Sequence, residues 1–173
     1  MADSSVRLAR ATDAPAMAGV QVRAWRDDLA EANAILAGLD ERAVASAWRE
    51  AVVSPPGPDH RVAVALDGDR VVGFVAWKPA DDPDSAEGEC EVALLVVDPA
   101  DRGAGHGSRL LAAWADLARE SGATSGSVWV ASVQEGTRRF LEAAGWAPDG
   151  AFRELAQDDG TALTIVRLVT SLV

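Results

Sequence analysis

Hydrophobic positions along this chain change their period at one place. Residues 89–97, Glu-Cys-Glu-Val-Ala-Leu-Leu-Val-Val, end in an apolar run that is stopped by Asp98-Pro99. A short run rich in branched residues with a breaker behind it predicts a buried strand. Beyond it, Leu110, Leu111, Trp114 and Leu117 recur at i, i+1, i+4 and i+7, which is one face of a helix. Gly122 stands after the last turn, where a left-handed cap is expected. Between strand and helix lies Arg102-Gly103-Ala104-Gly105-His106-Gly107. The order is buried strand, glycine-rich turn, amphipathic helix.

The remaining elements follow from the same two periods. A first strand is predicted over residues 6–10. Thr12-Asp13 before Ala14-Pro15 reads as a helix start, and that helix runs to about residue 28 with Met17, Val20, Gln21, Ala24 and Trp25 on or beside its inner face. Residues 29–40 are mixed, with a break near Gly38. A second helix over 41–52 turns Val44, Ala45, Trp48 and Val52 inward. After the proline-rich loop 54–59, strands over 60–66 and 70–78 flank an Asp67-Gly68-Asp69 turn. An acidic loop, 79–88, leads into the central strand. Downstream come a strand over 126–130, a helix over 135–144 ended by Gly145, and strands over 152–156 and 163–169 around an Asp158-Asp159-Gly160 turn. About seven strands and about four helices in this order predict an α+β layered fold, with helices laid on a mixed, mostly antiparallel sheet. Only the strand–helix–strand unit between 91 and 130 has to be parallel.

Composition narrows the picture. A chain of 173 residues with 49% hydrophobic residues fits a single domain over 1–173. The formal net charge of −11 argues against nucleic acid and against docking on anionic membranes, and suits a cationic small substrate. The single cysteine, Cys90, permits no intramolecular disulfide and no cysteine-based zinc site. No metal is expected. The N-terminal residues lack a signal-peptide pattern, and no apolar run approaches the roughly 20 residues that span a bilayer. A cytoplasmic protein is the expectation.

A helix N-terminus carries unpaired N–H groups and about half a positive charge, so the glycine turn suits phosphate or pyrophosphate. Two familiar motifs fail. The dinucleotide fingerprint needs G-x-G-x-x-G, whereas Gly103, Gly105 and Gly107 alternate and position 108 is Ser. The P-loop needs a lysine after its last glycine, and Lys78 is the only lysine in the chain. What the turn does match is Q/R-x-x-G-x-G/A, read as Arg102, Gly105 and Gly107 after a Val-Asp-Pro strand end and before Leu-Leu. This resembles the acetyl-CoA motif of the GNAT superfamily (GCN5-related N-acetyltransferases). The segment Arg138-Arg139-Phe140-Leu141-Glu142-Ala143-Ala144-Gly145-Trp146 is similar to the family's A-x-x-F-Y-E-x-x-G-F, and Ala-Thr-Asp-Ala-Pro-Ala at 11–16 is similar to family starts. The resemblance is strongest over 91–146 and weakest over 29–58.

The resemblance implies an acetyl-CoA-dependent N-acetyltransferase, with direct attack of a primary amine of a small molecule or peptide in a ternary complex. It places the CoA pyrophosphate on Arg102, Gly103, Ala104, Gly105, His106, Gly107 and Ser108, mostly through backbone N–H groups. His106 is expected to be a spacer with its ring in solvent. The pantetheine arm falls to the backbone of Leu95, Val96 and Val97, where an N–H would stabilise an oxyanion, and Gln134 takes the place of a frequent asparagine. Glu91 corresponds to the general base of some members, with Glu89 on the same face as the fallback. Leu141 stands where many members carry a tyrosine general acid, and the chain has no tyrosine; water is the expected proton donor, Ser132 the second candidate. On the acceptor side the resemblance points to Trp25, Asp27 and Asp28. Family habits also allow a homodimer. The alternative is a non-catalytic acyl-CoA-binding or interaction domain of the same fold.

Overall fold

A mixed seven-stranded sheet in the order β1-β2-β3-β4-β5-β7-β6 forms the frame. The computed structural model describes residues 4–29, 36–156 and 160–173. The strands are β1 (Ser4–Leu8), β2 (Arg61–Asp67), β3 (Arg70–Pro79), β4 (Glu89–Val97), β5 (Ser125–Ala131), β6 (Ala147–Ala156) and β7 (Ala162–Ser171). Among the described residues four α-helices cover the sheet: α1 (Ala14–Asp28), α2 (Glu41–Val53), α3 (His106–Glu120) and α4 (Glu135–Ala143). Every strand pair is antiparallel except β4 with β5, as the expected right-handed helical crossover requires. Residues 30–35 of the mixed segment 29–40, and residues 158 and 159 of the expected turn, lie outside the described residues. β6 starts five residues before its predicted beginning, because a register shift between Pro148 and Phe152, at Gly150 with φ 91°, lets the strand carry an irregular stretch.

The helices form one layer on each face. Leu110, Leu111 and Trp114 of α3 and Leu141 of α4 pack with Val72, Val75, Val92 and Val128. On the other face Met17, Val20 and Ala24 of α1 pack with Val64, Phe74 and Val96. α2 is only half-buried on its predicted face. It is held by Trp48, whose indole meets Phe74 edge-on at 4.8 Å and donates to Gln21 Oε1 at 2.6 Å. Asp13 does not cap α1 with its side chain. It accepts from the Arg7 guanidinium at 2.7 and 3.0 Å and from the backbone N–H of Arg10, which ties β1 to the start of the helix.

β4 is the strand that departs from regularity. Its register with β3 steps between Ala76 opposite Leu94 and Trp77 opposite Val92, leaving Ala93 without a partner. This bulge reverses the side-chain alternation. Cys90 and Val92 face the α3 layer, as do Leu95 and Val97, while Val96 and Leu94 turn to the α1 layer. The continuous apolar run read from the sequence is therefore a strand that changes faces halfway.

Candidate functional site

The same bulge opens the sheet. β4 and β5 are paired from Glu89 opposite Ser125 only as far as Val92 opposite Val128. Both strands continue, β4 to Val97 and β5 to Ala131, so they diverge as a V with its apex at Val92 and Val128. The β5-facing backbone groups of β4 above the apex form a strand edge inside the molecule. A ligand arm of extended shape can pair with such an edge.

A cleft of about 720 Å³ occupies the mouth of the V, within the usual size of small-molecule sites. Leu95, Val96 and Val97 form one wall, the turn from Arg102 to Ser108 another, and the start of α4 with Val133, Gln134 and Phe140 the third. The site residues predicted on β4, in the turn and at Gln134 thus come together, with Ala104 outside the lining. Gln134 fixes the β5–α4 turn by accepting from Ala131 N–H at 3.2 Å. The cleft also takes in Asp101, Glu135, Gly136, Thr137 and Phe140, which sequence reasoning did not assign. Their signal was available: Asp101 directly precedes Arg102, Glu135, Gly136 and Thr137 follow Gln134, and Phe140 stands in the quoted family-like segment.

Three glycines in the turn have three local reasons. Gly103 and Gly105 adopt φ of 80° and 82°, a region that side chains with a Cβ disfavour. Gly107 is helical, but a Cβ there would lie 3.1 Å from Phe140 Cζ. Chain geometry and packing against α4 account for them, whether or not a ligand comes close.

His106 departs from expectation. Its ring is buried at 4% exposure and lies 3.4 Å, through Nδ1, from Arg109 Nη1. It is the first residue of α3 and stands four before Leu110, so it shares the helix's inner stripe. The helix start itself is anchored upstream. Asp98, buried at the end of β4, binds Arg23 of α1 at 2.6 and 2.8 Å and accepts from Ala100 N–H.

Asp27 and Asp28 line the cleft, and their carboxylates hold Arg102 at 2.9 Å. Arg102 also donates weakly to the Val97 carbonyl at 3.4 Å. Trp25 is not on the cleft. It is half-buried and packs with Leu29, Ala131, Leu163 and Ile165, joining α1 to the last hairpin.

Glu91 stands at the apex of the V, directly opposite Ser127. Val92 and Val128 face the α3 layer, so Glu91 and Ser127 face the other way. Glu91 is outside the lining of the large cleft. Burial raises its pKa; Lys78 Nζ at 3.8 Å opposes that rise, and Asp81 and Glu89 add to it. Glu89 is tied to the preceding loop, accepting from Ala86 N–H at 3.1 Å, and lines a separate small cavity of about 120 Å³. Leu141 is 1% exposed in the core. Its neighbour Phe140, not Leu141, faces the cleft.

Among the described residues no cluster of three or more His, Cys, Asp or Glu is placed to hold a metal ion, and no helix is long and apolar enough to cross a membrane.

Comparison with known proteins gives a consistent result. Residues 22–146 match the profile of the Acetyltransferase (GNAT) family. Many solved structures share the fold. An N-acetyltransferase from Staphylococcus aureus Mu50 aligns with a TM-score of 0.75 at 16% identity, over 99% of each chain. Ribosomal-protein-alanine N-acetyltransferase from Brucella melitensis gives 0.75 at 20%, over 96% of this chain and 99% of that one. PaiA N-acetyltransferase from Thermoplasma acidophilum, in complex with coenzyme A, gives 0.64 at 15%, over 98% and 99%. No curated protein sequence matches at a significant level.

Proposed function

Since the chain belongs to the acetyltransferase (GNAT) family and is thereby an acyltransferase, we propose that it is an acetyl-CoA-dependent N-acetyltransferase of a single domain, working on a primary amine by direct attack in a ternary complex. The observation that carries this reading is the V between β4 and β5 opening on the cleft beside the α3 N-terminus. It supplies a free strand edge and a helix start suited to an anion, with the half-buried Glu91 carboxylate at the apex of the V, outside the cleft lining.

When bound, the co-substrate supplies an acetyl thioester. The chain's own residues do the rest. Backbone N–H groups from Gly103 to Ser108 and the helix dipole hold the pyrophosphate. The β4 edge at Leu95–Val97 aligns the arm and offers an N–H to developing negative charge. Glu91 accepts the proton of the acceptor's ammonium, a role favoured by a pKa raised by burial. With Leu141 in the core and no tyrosine in the chain, water is the proton donor to the departing thiolate.

On the acceptor side, Asp28 and Asp27 edge the cleft and Trp25 backs the α1 end. Their charge favours a cationic amine on a small molecule or peptide. A homodimer is compatible with this site, which is built from one chain. Thermal melting with CoA, ATP and NAD tests the ligand class. Stabilisation is expected with CoA alone; stabilisation by ATP or NAD and not by CoA would remove the reading. The other reading, a non-catalytic acyl-CoA-binding domain, is favoured by the missing tyrosine. It is separated by whether any amine becomes acetylated.

A further inference from the structure

Seven buried side-chain nitrogen or oxygen atoms lack a hydrogen-bond partner among the described residues. Four of them, Ser85 Oγ, Glu89 Oε1, Ser125 Oγ and Ser127 Oγ, gather at the paired ends of β4 and β5 and the loop before β4. The register sets two carboxylates against two hydroxyls, Glu89 opposite Ser125 and Glu91 opposite Ser127. All four residues lie on the face away from α3. Ser127 is 0% exposed. The loop closes over this seam, with Ala86 N–H donating to Glu89 Oε2 and Asp82 accepting from Trp129 Nε1 at 3.2 Å.

Buried hydroxyls and carboxylate oxygens that find no protein partner are normally satisfied by water, because leaving them dry costs their full desolvation. One orphan says little. Glu89 Oε1, Ser125 Oγ and Ser127 Oγ share one face of the paired strands, and together they offer the polar partners that an ordered water needs. The seam starts at Glu91 and ends beneath the 80–88 loop. The charged groups that face Glu91 are Lys78 from β3, Asp81 from the loop and Glu89 from its own strand; from β5 it is Ser127.

We propose that Ser127 is a positioning residue for the transfer reaction: its hydroxyl, with water held in the seam, hydrates the Glu91 carboxylate and gives the proton taken by Glu91 a path out under the 80–88 loop. The inference rests on the reading of Glu91 as base. In the step, an N–H bond of the acceptor's ammonium breaks and an O–H bond forms on Glu91. That proton then passes to water in the seam and on to bulk solvent, restoring the carboxylate. The amine keeps its electron pair for attack.

The test needs no acceptor at first. The side-chain carboxyl of Glu91 is titrated by carbon-13 NMR in the wild type, in Ser127→Ala and in Ser125→Ala. Loss of a hydroxyl or water donor to the carboxylate should raise the Glu91 midpoint in Ser127→Ala by roughly 0.4 to 1 unit, with a smaller change in Ser125→Ala. The acid limb of the pH–rate profile should move by the same amount once an accepted amine is in hand. A folded Ser127→Ala protein with an unmoved Glu91 midpoint overturns the inference. A high-resolution crystal structure is the second measurement. Water bonded to both Ser127 Oγ and Glu91 is expected; Ser127 Oγ bonded only to a backbone carbonyl, with no water, overturns it. Full activity of Glu91→Gln would instead overturn the base reading itself.

Discussion

Arg102 grips Asp28 through two parallel hydrogen bonds, each 2.9 Å, and reaches Asp27 at the same distance. The residue that opens the glycine turn is thus spent on two carboxylates of α1. Exposed pairs of this kind are worth about 0 to 1 kcal/mol, so a pyrophosphate can take the guanidinium over. Asp27→Asn with Asp28→Asn should tighten CoA binding roughly two- to five-fold by titration calorimetry. The gain should shrink in an Arg102→Gln background. Equal gains in both backgrounds would mean that Arg102 is not contested.

The glycine turn is held by backbone geometry at Gly105. Placing alanine at φ 82° costs about 1–2 kcal/mol, and Gly105→Ala should lose that much stability in urea unfolding. At Gly107 the effect differs. A Cβ 3.1 Å from the Phe140 ring pushes that ring toward the cleft, so Gly107→Ala should weaken CoA binding more than it lowers the melting temperature.

Burial raises the Glu91 pKa, which fixes two signs. The rate should rise with pH as Glu91 loses its proton, and Glu91→Gln should abolish that limb. Stability runs the other way. A group whose folded pKa lies above its unfolded value stabilises fully below the unfolded pKa, and that contribution is lost as pH rises through the folded pKa. Glu91→Gln should therefore melt slightly higher than wild type at neutral pH, with the difference fading as pH falls below the ordinary glutamate range. Lys78→Met removes the opposing cation and should carry the rate limb to higher pH.

Cys90 is buried, and burial pushes its thiol up to about 11. Iodoacetamide at pH 8 should leave it unmodified in the folded protein and label it in urea, with no loss of CoA binding under native conditions. Rapid native labelling would show that the strand opens at that end.

Much of this was legible in the chain. The apolar run stopped by Asp98-Pro99 and the period-3.6 run behind it located β4 and α3, and the spacing of Arg102, Gly105 and Gly107 located the cleft. Other features were not. The V at Val92 and Val128 depends on an unpaired Ala93, and a bulge in a uniformly apolar strand leaves no mark on hydrophobic alternation. The burial of His106 is legible in its position four before Leu110, although the flanking glycines mark a turn at the same place. The occupation of Arg102 by α1 is a contact between residues 74 and 75 positions apart, and no local pattern signals it. Ser127 gives no signal either, because a lone serine in a strand carries no chemistry until its pairing with Glu91 is known.

The most direct measurement is release of CoA thiol from acetyl-CoA, followed with a thiol reagent while amines, amino acids, polyamines, aminoglycosides and peptide N-termini are offered in turn, with mass spectrometry of the acceptor. The account expects at least one amine to gain an acetyl group in step with thiol release, at a rate that Glu91→Gln sharply reduces. Stabilisation of the protein by acetyl-CoA with no acceptor acetylated across the panel would contradict it and leave a binding domain in place of an enzyme.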